Sequence, residues 1–318
     1  MYQYLFRRIL QGVPVILVVS LVVFIIINLA PGDPIARLED PSISREDLER
    51  RYAAMGLDEP LMVRYANWLG DFVTGDFGYS MDSSRQPVAD LLNARIMPTI
   101  YLTMGALLLS FLISIPIGIL SATKQYSVFD YAATLFAFFG VSIPSFFFGL
   151  ILLFVFALQL DLLPTGGFQD PTAATTTVFT HLKHAILPVI ALGYARAASL
   201  TRYMRSSMLE VVKEDYVRTA RAKGLKERVV IYKHALRNAL IPVITLLGLQ
   251  VPLLFSGSVI IEEVFSWPGI GRLSVRAVWQ RNYTVLMATT VIFAILVFIG
   301  NLIADMFYVL VDPRIKYD

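Results

Sequence analysis

The sequence predicts an all-α, polytopic membrane protein with six transmembrane helices and both termini in the cytoplasm, and three observations carry that expectation. Of 318 residues, 56% are hydrophobic and only 16% charged, whereas a water-soluble domain has about 45–50% and about 25%. Uncharged apolar stretches recur at lengths near the roughly 20 residues that a helix needs to cross the hydrocarbon core. Lysine and arginine gather in alternate connections, and such residues collect on the cytoplasmic side of a membrane protein. With no cysteine present, disulfide frameworks, thiolate metal sites, cysteine nucleophiles and iron–sulfur clusters are excluded.

Five stretches stand out: Ile9 to Ala30, Ile100 to Thr123, Tyr131 to Leu160, Ala239 to Ile261 and Val285 to Ala304, the last continuing past Asp305 to Val311. The first is too long for a cleaved signal peptide and lacks a small-residue cleavage site, so it reads as a retained helix. Ala185 to Met204 is a weaker sixth span. Arg196 and Arg202 interrupt it, and Pro188 and Gly193 lower its helix propensity. Topology nevertheless requires it. Between it and the Ala239 stretch lie ten basic residues, from Arg202 to Arg237, against four acidic ones, which places that loop in the cytoplasm. Arg7 and Arg8, Lys124, and Arg314 with Lys316 put the N-terminus, the second-to-third connection and the C-terminus on the same side. Only six crossings satisfy all four placements. The organisation expected is a single transmembrane domain over 1–318, carrying an extracytoplasmic insert at 31–98 and a cytoplasmic loop at 205–238.

The outer segment, Pro31 to Pro98, has a net charge of −5 and reads as folded. Ser44 followed by Asp47 marks a helix start and Gly56 its stop. Pro60 to Thr74 carries Leu61, Tyr65, Trp68, Leu69 and Phe72 at helical spacing, an amphipathic helix that lies either on the bilayer surface or against the bundle.

Enzyme chemistry fails on inventory. Intramembrane aspartyl proteolysis needs two carboxylates sharing a proton, yet Asp305 is the only acid inside the spans, with Asp130 and Asp161 at span edges. A serine hydrolase needs a histidine base, and His181, His184 and His234 all fall in loops by this topology. His181 and His184 are three residues apart and could face one metal, but no carboxylates accompany them. No lysine follows a glycine, so the chain lacks a phosphate-binding loop and is not expected to hydrolyse ATP. Secondary transporters and channels usually show functional charges within their spans. Here the intramembrane charges are Arg196 and Asp305, both expected near the cytoplasmic ends of their helices, where pairing or snorkelling accounts for them.

The informative segment runs Glu214 Asp215 Tyr216 Val217 Arg218 Thr219 Ala220 Arg221 Ala222 Lys223 Gly224. Acids at its front and Arg221 and Lys223 at its back match the helix dipole, and Gly224 supplies a left-handed stop. Thr219, Ala220 and Ala222 are small, which lets another protein's surface approach the backbone. A second helix, from about Lys226 to Asn238, leads into the fifth span across Pro242. The pair forms a projecting knob bent around a glycine. The alternative is a solvated basic face that only sets topology, as in a secondary transporter or channel.

This segment resembles the coupling loop, the EAA-type motif, of permease subunits in ATP-binding-cassette importers, in the variant of dipeptide, oligopeptide, nickel and glutathione systems. The resemblance covers nearly the whole chain. Pro31 Gly32 Asp33 Pro34, Gly56 Leu57 Asp58 with Pro60, Gly75 Asp76 Phe77 Gly78, Leu163 Pro164, His234 Ala235 Leu236 Arg237 Asn238 Ala239, Ser266 through Leu273, and Asp312 Pro313 Arg314 all match in order. Arg218, Thr219 and Ala220 replace the general Glu-Ala-Ala, and Arg237 stands where proline is general; both departures are usual in the peptide branch. Arg281 Asn282 Tyr283 Thr284 departs from the more frequent Arg-Asp-Tyr-Pro.

The resemblance implies a type I importer permease fold in a prokaryotic inner membrane. It implies a heterodimer with a second related permease, two cytoplasmic ATPases, and an extracytoplasmic binding protein delivering a peptide-like solute. ATP and magnesium would be bound by the ATPases, with no cofactor on this chain, and no nucleic-acid partner is expected. The ATPase-coupling residues would be Asp215, Tyr216, Arg218, Thr219, Ala220, Arg221, Ala222, Lys223, Gly224, His234 and Arg237. Pro116, Pro144, Pro242, Pro252, Gly118, Gly149 and Gly248 would allow the bends and close packing that rocking helices need.

Overall fold

A computed structural model describes residues 2–29, 58–82, 85–169 and 178–311, and its regular elements are helices. Extended pairing among the described residues is a single bridge between Tyr79 and Pro87. In chain order the helices are α1 (Tyr2–Leu29), α2 (Leu61–Thr74), α3 (Val88–Thr123), α4 (Val128–Ser142) and α5 (Ser145–Leu152), which a π-helical segment, Leu153–Gln159, continues. Then come α6 (Val178–Val211), α7 (Asp215–Ala222), α8 (Leu236–Val264), α9 (Ile270–Gln280) and α10 (Tyr283–Val311). A helical turn, Glu227–Val229, and a π-helical segment, Val230–Ala235, lead into α8. The expected helix from Ser44 to Gly56 lies outside the described residues.

By length and composition α1, α3, α6 and α10 each contain a stretch able to cross a membrane, and α4 with α5 makes a further candidate if the bent pair is one span. The predicted stretch Ala239 to Ile261 falls within α8, a helix of 29 residues, about 44 Å long at 1.5 Å per residue. The helices outrun the apolar stretches that announced them. α3 starts at Val88 and α6 runs from Val178 to Val211, because a helix continues past the hydrocarbon core wherever its backbone remains satisfied.

Four expectations need correction. Tyr131 to Leu160 is not one straight helix: Ile143 is extended (φ −88°, ψ 124°), and the axes on either side diverge by 108°. Pro144 causes this, since its ring excludes the residue before it from helical conformation. His181 and His184 lie in the first turns of α6 and not in a loop, and His234 lies in the π-helical segment. The stretch from Lys226 to Asn238 does lead into the fifth span, but as a helical turn, a π-helical segment and the start of α8 and not as a second short helix. The three join without a break, and Pro242 sits inside α8. Arg196 stands near the middle of α6 and not near its end.

The chain divides into two compact units, Met1–Met97 with Ile270–Leu296, and Pro98–Gly269 with Val297–Asp318. In the first, α2 rests on α1. Leu61, Tyr65 and Trp68 pack against buried Phe24 and Ile27 of α1 and Met287 of α10, and the Tyr65 hydroxyl lies 2.8 Å from Ser20 Oγ. The amphipathic helix therefore packs against a membrane helix, and its rings continue in edge and tilted contacts through Trp68, Phe72 and Phe77.

The Gly75 Asp76 Phe77 Gly78 motif follows from the same unit. Gly75 ends α2 at φ +88° and Gly78 turns the chain at φ +70°. A Cβ on Gly78 would also crowd Thr284 Cγ2 at 3.1 Å. Asn282, which stands where the resemblance leads one to expect aspartate, is buried. It donates to Ser80 Oγ at 2.6 Å and accepts from the Met81 amide at 3.1 Å. An aspartate could accept both contacts but could not donate to Ser80.

In the second unit two distant motifs meet. Trp267 and Phe265 are buried with Leu102 and Ala106 of α3, Leu187 and Ala191 of α6, and Ile261 of α8. Trp267 Nε1 donates to the Pro98 carbonyl at 2.9 Å. The Gly167 amide donates to the Phe265 carbonyl at 2.9 Å, and a Cβ on Gly166 would overlap that same carbonyl. His181 and His184 approach the carbonyls of Phe168 and Gly166 through Nδ1, at 2.8 and 2.9 Å. A carbonyl only accepts, so each histidine donates from Nδ1 and tethers the Leu163 Pro164 loop to α6.

Candidate coupling knob

α7 is short, strongly two-faced and seated on the second unit. Val217 and Ala220, three residues apart, point inward. They join Ile119 and Ala122 of α3, Met204 and Met208 of α6, Val230, Ile231 and Ala235 of the π-helical segment, and Ala239 and Val243 of α8 in one apolar cluster. Three long helices thus share the floor on which α7 rests, so a push on α7 reaches all of them through close-packed side chains.

The opposite face is open. Asp215, Tyr216, Arg218, Thr219, Arg221, Ala222, Lys223 and Gly224 are exposed. Thr219 and Ala222 leave the outer backbone accessible, as their size suggested, whereas Ala220 is turned into the cluster and serves packing. Glu214 caps the helix by conformation only, without a side-chain hydrogen bond, and Asp215 in the first turn complements the dipole. Arg218 reaches back to Asp215 at 3.2 Å, a pair fully in solvent.

Gly224 closes the helix. Its φ is +74° and nothing lies within 4 Å of a Cβ built on it, so glycine is needed there for backbone conformation and not for space. Its amide donates to the Arg221 carbonyl at 2.9 Å. The turn brings Glu227 back beneath the helix, where Arg221 Nη2 donates to Glu227 Oε1 at 2.8 Å. That hydrogen bond raises the Arg221 pKa above its ordinary value and lowers the Glu227 carboxyl below its own. A second strap runs from Asn238 Nδ2 to the Tyr216 hydroxyl at 2.8 Å. Neither strap was foreseen. The opposite charges at 221 and 227 on either side of a glycine were the available signal.

His234 is half-buried on the π-helical segment and Arg237 exposed in the first turn of α8, next to Asn238, which is strapped to Tyr216. Arg196 and Asp305 lie outside it, half-buried within α6 and α10. Among the described residues no group of three or more His, Asp or Glu side chains is placed to hold a metal ion.

Long helices apolar enough to cross a membrane, together with a compact, charged and exposed helix seated on three of them, are what a membrane transport subunit requires. The chain matches the binding-protein-dependent transport system inner membrane component family over residues 114–317, and the N-terminal region of the same family over residues 1–103. It is 47% identical to the oligopeptide transport system permease protein AppB of Bacillus subtilis, with 100% of both chains covered. It is 38% identical to the glutathione transport system permease protein GsiC of Escherichia coli, again over 100% of both. Its fold is similar to that of the MetNI methionine ABC transporter in an inward-facing conformation, with a TM-score of 0.56, 18% identity, and coverage of 70% of this chain and 96% of that one.

The protein belongs to the binding-protein-dependent transport system inner membrane component family. It is a multi-pass inner-membrane permease subunit of an ATP-binding-cassette importer and not an enzyme, and this class of permease works with ATPase and substrate-binding partners.

Proposed function

We propose that this permease forms half of a translocation pathway for peptides or peptide-like solutes, paired with a second, related permease. α7 docks one cytoplasmic ATPase. The observation that carries the reading is the division of α7 into an inner face packed on α3, α6 and α8 and an outer face of small and charged side chains. ATP and magnesium belong to the ATPases. Closure of the ATPases displaces α7, and the helices that share its apolar floor tilt with it, opening a cavity alternately to either side. One docking helix engages one ATPase, so a second permease completes the pair. Cargo of the peptide or glutathione class follows from the relatives' names and their full-length similarity.

In this reading six spans place the knob in the cytoplasm and the segment from α2 to the Tyr79–Pro87 bridge outside. The cysteine-free sequence makes labelling clean. Tyr79→Cys should react with an impermeant thiol reagent applied outside, and Ala222→Cys only after permeabilisation; the reverse pattern overturns the topology. Purified without partners and reconstituted with ATP inside liposomes, the permease should accumulate no peptide. Concentrative uptake under those conditions overturns the assignment of the energy source to partner subunits.

A further inference from the structure

A largely buried ion pair links α4 to α6, one residue along α6 from Met204 of the apolar floor under α7. Asp130, in the first turn of α4, has a side chain only 5% exposed. Its carboxylate accepts from Arg205 twice, Nε at 2.7 Å and Nη2 at 2.9 Å. It also accepts from the Tyr126 amide at 3.0 Å and from the Ser121 hydroxyl. The donors come from three places: Ser121 near the end of α3, Tyr126 in the turn joining α3 to α4, and Arg205 near the end of α6. Tyr126 has φ +62°, a conformation costly for a residue with a side chain, and its amide points at Asp130.

α6 also touches both α3 and α4 directly. A Cβ on Gly118 of α3 would come within 2.6 Å of Met204 Cβ, on the residue next to Arg205, and a Cβ on Gly140 of α4 would overlap Ala198 of α6. The apolar cluster under α7 takes Ile119 and Ala122 from α3, and Met204 and Met208 from α6, but no residue from α4. Displacement of α7 thus reaches α3 and α6 through packing. Apolar contact is non-directional, whereas a two-pronged arginine–carboxylate pair fixes both distance and orientation.

We propose that Asp130 and Arg205 are positioning residues that form a joint, obliging α4 to follow α6 when α7 is displaced. The proposal rests on the reading of α7 as the ATPase-docking element. The joint would be broken without dismantling the docking surface, since none of its four groups lies on α7.

The test uses the complete complex, with both permeases, the ATPases and the binding protein, in liposomes, measuring uptake and ATP hydrolysis on the same vesicles. Asp130→Asn should keep the ATPases bound and hydrolysing while uptake per ATP falls about tenfold, a typical coupling magnitude. The neutral double variant Asp130→Asn with Arg205→Gln leaves no stranded charge, so assembly is retained, yet the ratio should stay low. A role in stability alone lowers hydrolysis and uptake in proportion, or restores both in the double variant, and either result overturns the joint. If Asp130→Asn does not assemble, the double variant decides: a wild-type ratio there overturns the proposal. Absence of the ATPases from the wild-type complex is a different failure, which overturns the docking reading and the joint with it.

Discussion

Two ion pairs have almost the same length, 2.7 Å between Arg205 of α6 and Asp130 of α4 and 2.8 Å between Arg221 and Glu227 within the knob, yet they differ in what surrounds them. Side-chain exposure is 29% and 5% in the first pair and 37% and 60% in the second. Asp130 receives two further donors from Ser121 and Tyr126. Distance alone therefore does not set the worth of an ion pair. Removing one partner of a buried pair strands the other charge, whereas an exposed pair exchanges its contacts for water at little cost. The first pair suits a fixed joint. The second suits a surface that a partner protein could rearrange.

The largest test of this contrast is Asp130→Ala, which should destabilise the protein by about 3 kcal/mol, the lower part of the range for breaking a buried pair, because Arg205 keeps some access to water. Thermal unfolding of the detergent-solubilised chain would measure it. A loss no greater than that for Glu227→Ala would erase the distinction between the pairs.

An intermediate effect is expected at Gly224. Valine there costs roughly 1–2 kcal/mol of backbone strain and misdirects the turn that brings Glu227 to Arg221. Because no atom crowds the position, the effect is conformational, and Gly224→Asn, which tolerates the left-handed region, should be clearly milder in an ATPase pull-down and in uptake. Equal behaviour of the two variants would show that the turn does not depend on its positive φ.

The smallest effect belongs to Glu227→Gln, under about 1 kcal/mol for an exposed pair. Its pH dependence has a definite sign. The Glu227 pKa is lowered in the folded chain, chiefly by the Arg221 hydrogen bond. Its contribution is therefore complete above the ordinary carboxylate range and is lost as pH falls through the lowered value. From about pH 6 to 8 the stability difference between Glu227→Gln and wild type should be constant, and it should shrink on acidification. A difference that grows toward acid would contradict the pairing.

The features legible in advance were local ones. The positive φ of Gly224 followed from its place after a helix with basic residues at its end, and α2 from five apolar residues at helical spacing. What escaped prediction joins residues far apart in the chain: Asp130 to Arg205 across 75 positions, Thr99 to Glu262 across 163, and Asn282 to Ser80 across 202. Asp130 read as a span-edge acid, and Asn282 as an unexplained departure, because polar residues announce that they need partners without saying which. A bend at Pro144 was expected but not its extent, for a related reason: proline permits either a kinked or an interrupted helix, and neighbouring contacts choose between them.

By itself the sequence determined that the chain is built largely of helices long and apolar enough to cross a membrane, that it carries no cysteine and no phosphate-binding loop motif, and that a charged segment ends at Gly224. These properties depend on composition, periodicity and backbone preference, which act over a few residues at a time. Only the tertiary structure decided that Ala220 faces inward, that the Leu163 Pro164 loop is tethered to α6 by two histidines, and that the charge of Asp130 is met by Arg205. Those outcomes depend on which helices lie side by side, and close packing of distant segments is set by the whole chain at once.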